Sequence, residues 1–128
     1  MKRTVIAISA ILGAFLISFT GYFLVNHACN KLENQLWEIC NIAQTDDVEK
    51  AIEMSKDVES LWEDVHDVIE SFIRHEETDK LEEIIKSLSV YALQGNMERL
   101  EQQADMAIDE LHHLIRSEKP IISNIFQI

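Results

Sequence analysis

The sequence predicts an all-α protein: a single N-terminal transmembrane helix that continues into an antiparallel bundle of about four helices. Three observations carry that expectation. Residues Thr4 to Val25 hold no charged side chain, and as a helix such a stretch crosses a bilayer core of about 30 Å. Beyond it, apolar residues return at alternating three- and four-residue steps, the spacing of one helix face. One proline and no low-complexity tract interrupt the remainder, so no interdomain linker is visible. A body of this size builds one core and not two. The chain accordingly divides into residues 1–25, a cytoplasmic N-terminus with its membrane anchor, and residues 26–128, an extracytoplasmic bundle with an apolar C-terminal tail.

The apolar stretch is long for a cleavable signal, whose apolar region is usually about 7–15 residues and ends in small residues at the cut. Asn26-His27-Ala28 offers a small residue only at the last position. Cys29 follows an apolar run, as a lipidated cysteine does, but Asn26 stands where that motif places Leu or a similar residue. Retention is the favoured expectation, with cleaved and lipidated forms left open. Lys2 and Arg3 precede the span without an acid, and Lys31 just after it is opposed by Glu33 and Glu38. The positive-inside rule then places the N-terminus in the cytoplasm and the bundle outside. Ala10, Ala14 and Ser18, and Ser9 with Gly13, have the spacing of close helix packing in lipid. A plain lipid-facing anchor explains them as well.

The first helix is expected to run on into water. Tyr22, Val25, Cys29, Leu32, Leu36, Ile39 and Ala43 lie on one seam, and a break is expected near Gln44-Thr45-Asp46-Asp47. There Thr45 or Asp46 suits an N-cap, with Asp46 and Glu49 at capping-box spacing. The second helix keeps Ala51, Met54, Val58, Leu61, Val65, Val68 and Phe72 in a seven-residue repeat that Trp62 and Ile69 widen, and it is expected to end around His75. Glu76 to Asp79 open a third helix presenting Leu81, Ile84, Ile85, Leu88, Tyr91 and Ala92. At Gly95-Asn96 the glycine suits a left-handed terminus and the asparagine caps the next helix. That fourth helix offers Leu100, Ala104, Ala107, Ile108, Leu111, Leu114 and Ile115, and Pro120 is expected to close it. The apolar tail from Ile121 to Ile128 is expected to fold back over the bundle. A faint self-similarity, Asp47 to Ala51 against Asn96 to Leu100, fits paired helices as readily as a repeat.

Charge narrows the partners. All 23 acidic residues and all but two of the 11 basic ones lie beyond the span. A surface so acidic disfavours nucleic acid and anionic headgroups, which require basic surfaces. The expected partners are the lipid bilayer, through the N-terminal helix, and a membrane protein or a second copy of the chain.

The titratable residues offer one recognisable pattern. Glu63-x-x-His66 and Glu110-x-x-His113 have the spacing of paired-metal carboxylate bundles, with Glu33 or Glu38 and Glu82 or Glu83 available to complete such a site. At 100° per residue, however, Glu63 and His113 each lie opposite the apolar stripe of their own helix, and ligands must project inward. His75 is read as a helix-end residue favoured by the dipole, and His112 and His113 as surface residues. Cys29 and Cys40 sit about 16 Å apart on one helix, too far for a disulfide. Two packed thiols, or a bridge between two copies at Cys29, remain. No nucleophile turn or phosphate-cradling loop accompanies the three glycines. No catalytic, cofactor-binding or metal-binding residue is therefore assigned.

The N-terminal anchor, Trp62, the His75-Glu76-x-x-Asp79 turn, the Gln94-Gly95-Asn96 turn and the closing Asn124-Ile125-Phe126 together resemble the small membrane-anchored proteins of spore-forming Gram-positive bacteria grouped as domain of unknown function 4363. The resemblance spans nearly the whole chain. It implies a helical cell-envelope protein and supplies neither an activity nor a site. The expectation is a non-enzymatic protein-interaction or accessory subunit, the alternative a metal-binding or enzymatic bundle built on the two Glu-x-x-His spacings.

Overall fold

The computed structural model describes the backbone of residues 1–126 and the side chains of residues 1–116. Four helices succeed one another, α1 (Lys2–Gln44), α2 (Val48–Phe72), α3 (His75–Leu93) and α4 (Met97–Phe126), and no strand occurs among the described residues. Each packs on the next and α4 returns to α1, closing a ring. Connections of two or three residues make successive helices antiparallel. The all-α bundle expected from the sequence is the one observed.

α1 is a single rod with two environments. Residues 1–20 are almost wholly exposed, and of the most apolar window only 6% is buried. That stretch is long and apolar enough to cross a membrane. From Gly21 onward the same helix enters the core through Val25, Ala28, Cys29, Leu32, Leu36, Ile39, Cys40 and Ala43. Leu32, Leu36 and Ile39 are wholly buried, each worth about 1.5–3 kcal/mol of removal from water. The seam from Val25 to Ala43 is thus filled by the chain's own helices. Cys29 and Cys40 are buried within it, and no disulfide joins them.

The helix ends differ in detail from expectation. Asp47, not Thr45 or Asp46, caps α2: its carboxylate accepts from the Lys50 N–H at 3.2 Å. Asp46 instead takes φ +59°, a left-handed conformation that Asp tolerates better than most residues. Gly95 does adopt the expected left-handed φ, +71°. Its N–H donates to the Ala92 carbonyl and that of Asn96 to the Tyr91 carbonyl, a Schellman closure, while Asn96 Oδ1 accepts from the Arg99 N–H. α2 stops at Phe72, with extended Ile73 and Arg74 forming the turn, so His75 opens α3 rather than ending α2. α4 runs through Pro120 to Phe126, and the stop expected there is not present. The tail's side chains, expected to fold back over the bundle, lie outside the described residues.

The buried centre of α2 is also rotated. Ala51, Ser55, Val58, Trp62 and Ile69 are fully covered, whereas Met54, Leu61, Val65 and Val68 flank them half-buried and Phe72 is exposed. The helix touches α1 on one side and α3 on the other, so its deepest line falls between the two contacts. α3 buries Thr78, Leu81, Ile84, Ile85, Leu88 and Ala92. The Thr78 hydroxyl, the one polar group on that stripe, donates to the His75 carbonyl at 3.0 Å.

Where α1 enters the bundle, the Phe72 ring lies across Gly21, and a Cβ built there would collide with ring carbon Cζ. Substituting Ala for Gly in a helix interior normally gains about 1 kcal/mol. Gly21→Ala is expected to lose that gain to displacement of the ring, and to recover it when Phe72 is already Ala. Equilibrium unfolding of the four chains of the double-mutant cycle measures the coupling; additive effects would show that ring and glycine do not interact.

Candidate functional site

The two Glu-x-x-His spacings occupy different surroundings, and the structure does not bring them together. Glu63 is exposed; its backbone carbonyl, not its carboxylate, meets His66 Nδ1 at 2.8 Å. His66 Nε2 in turn lies 3.1 Å from the carboxylate of Asp67. On α4, Glu110 is buried and faces Lys80 of α3 at 3.6 Å, while the exposed His113 reaches Glu77 of α3 at 3.6 Å. The remaining carboxylates available to such a site are equally dispersed. Glu33 pairs with His112, Glu82 with Lys86 one turn on, Glu83 is exposed, and Glu38 lines a shallow crevice with Gln35, Met54 and Asp57.

These pairs tie helices to one another. His112 joins α4 to α1, so it is not the plain surface residue its neighbour suggests. Lys80 with Glu110, and Glu77 with His113, join α3 to α4. Exposed ion pairs stabilise by only about 0–1 kcal/mol each. Glu110 differs, because a carboxylate withdrawn from water is tolerated where a cation accompanies it.

The ligand-type side chains that do converge lie at the end of the bundle formed by the α2 to α3 turn. Glu70, His75 and Asp79 place a ligand atom each within 4.8 Å of one another, and Glu70 shares a second such group with His66 and Asp67. Two i, i+4 pairs build the cluster: His66 with Glu70 on α2, and His75 with Asp79 on α3. Residues four apart share a helix face, and the two-residue turn folds one pair back on the other. The sequence signal is His-x-x-x-carboxylate on each side of a short turn. A boundary for α2 at His75 hides that signal, because it leaves no turn between the two pairs.

Burial and charge set the reactivity of two groups. The Cys40 thiol is pushed up to about 11 by burial first and then by the carboxylates of Asp105 and Glu101. It is a packing residue held as a neutral thiol, whereas thiolate is the nucleophile. His66 is raised above the ordinary histidine value, chiefly by its hydrogen bond to the Glu63 carbonyl, with Asp67 and Glu70 adding to it.

Fold and geometry define a helical bundle carrying an apolar N-terminal helix, which by length and composition suits a membrane anchor or a signal sequence. Residues 19–125 match the family model described as Domain of unknown function (DUF4363), and the chain belongs to that family. No curated protein and no solved structure matches the chain.

In the folded chain at mildly alkaline pH, Cys40 is expected to resist iodoacetamide until the protein is unfolded, as read by peptide mass mapping; prompt labelling of the native chain would contradict its burial. His66 is expected to titrate above the ordinary value of about 6.5 in ring-proton NMR. Its contribution to stability is then complete below that value and fades as pH rises through the raised midpoint; the His66→Gln chain should lack that component of the pH dependence.

Proposed function

We propose that this chain is a membrane-anchored, outward-facing helical bundle that acts without catalysis, by binding another membrane protein at the bacterial cell envelope as a small accessory subunit. The continuity of α1 carries the proposal. The segment around Asn26-His27-Ala28, where a signal peptidase would cut, lies inside an unbroken helix in which Val25, Ala28 and Cys29 are core residues. Cleavage there would remove a row of contacts from the bundle and requires an extended, accessible backbone. Both considerations favour retention, and Lys2 and Arg3 favour a cytoplasmic N-terminus.

The binding role is supported by large apolar side chains left on the bundle surface: Trp37 on α1, Val90 and Leu93 on α3, and Met106 on α4. Tryptophan and methionine are enriched where proteins meet. An acidic surface around such residues favours solubility and disfavours anionic partners.

A photoreactive residue at Trp37 and another at Leu93, in the full chain in intact membranes, test this reading. The chain is expected to stay with the membrane through alkaline extraction and to capture one distinct membrane protein at one of the two positions. A mature chain beginning after Ala28, or release into the soluble fraction, would remove the anchor; capture of itself alone would replace the accessory role with a homo-oligomer.

A further inference from the structure

We propose that Glu70, His75 and Asp79 form a binding site for one divalent transition-metal ion of the zinc type, bridging the end of α2 to the start of α3. The ligand atoms of these three side chains lie within 4.8 Å of one another. A tetrahedral ion with ligands at about 2.0–2.2 Å needs them about 3.4 Å apart, so side-chain rotation of about an ångström closes the site without moving a helix. His75 and Asp79 stand one turn apart on the same face of α3, and the Ile73-Arg74 turn brings Glu70 opposite them.

The neighbourhood supports a cation. Among the described residues none of the three side chains takes part in an ion pair, whereas three other histidines, His66, His112 and His113, are each paired with a carboxylate. Two carboxylates held this close repel one another, and a divalent ion relieves that repulsion. The imidazole decides the class. Calcium and magnesium select oxygen ligands, while one nitrogen with two carboxylates suits zinc and its neighbours. Three protein ligands leave a fourth position open to water. His66, whose ring nitrogens already meet the Glu63 carbonyl and Asp67, stays outside the ligand set although it shares Glu70's surroundings. The bound ion would clamp α2 to α3 at the end of the bundle nearest the apolar segment, and it requires nothing of the anchor or accessory role proposed above.

Calorimetric titration of the full chain in detergent, stripped of metal with a chelator, with zinc chloride tests the site. One zinc per chain is expected, with a raised unfolding temperature in its presence. Glu70→Gln and His75→Ala are each expected to weaken binding at least about tenfold, while Glu63→Gln, His113→Ala and His66→Ala leave it within about threefold. The mutated side chains are largely on the surface, and circular dichroism verifies that each variant keeps its helices. Absence of saturable binding, affinity unchanged in Glu70→Gln and His75→Ala, loss of binding in His66→Ala, or calcium chloride binding as tightly as zinc would each overturn the proposal.

Discussion

Everything in this fold depends on the passage of one helix from a largely exposed apolar segment into the centre of a core. α1 is unbroken between residues 20 and 25, and Gly21 there keeps a negative φ within the helix, so the hydrogen-bonded ladder itself couples the two parts. From Val25 to Ala43 its inner face is the surface on which α2 and α4 close, and α3 completes the ring behind them. The bundle is not suspended from the apolar segment by a linker. Its orientation is set by the segment's axis, and a helix transmits bending far better than a flexible chain.

Polar interactions have a secondary part in this arrangement. The interior is built from Leu, Ile, Val and Ala with one fully buried tryptophan, Trp62. Charged side chains form the seams between helices, with α4 the most heavily tied through His112, His113 and Glu110. The acidic excess is otherwise spread over outward faces, where water screens it. The exception is the α2 to α3 turn, which gathers carboxylates and imidazoles in one small volume. A two-residue connection leaves them no room to separate.

Much of this was legible in the order of residues. The seam from Val25 to Ala43 and the stripes on α3 and α4 come directly from apolar spacing, and Gly95-Asn96 announced its own closure, because only a few residues accept a left-handed φ. The misplaced features are of two kinds. Helix ends slipped by one to three residues, at Asp47 and at Phe72, since several neighbouring residues were equally able to cap or terminate. The deepest line of α2 shifted from the Met54, Leu61, Val65 register to the Ser55, Trp62, Ile69 register, since a helix between two neighbours buries the direction between them. Pro120 is a further instance: proline removes one hydrogen bond, but a helix continues past it where the loss is tolerated.

By itself the sequence determined the helical class, the apolar N-terminal helix and its continuity with the core, because hydrophobic periodicity and the absence of charge act along the chain and need no partner. Only the tertiary structure decided which titratable groups meet. Glu63 and His113 share a spacing with metal ligands yet face away from any common point, while Glu70, His75 and Asp79, which match no recognised motif, converge. Spacing fixes the face a side chain takes on its own helix; the direction of the turn and the rotation of each helix about its axis fix the groups that face encounters.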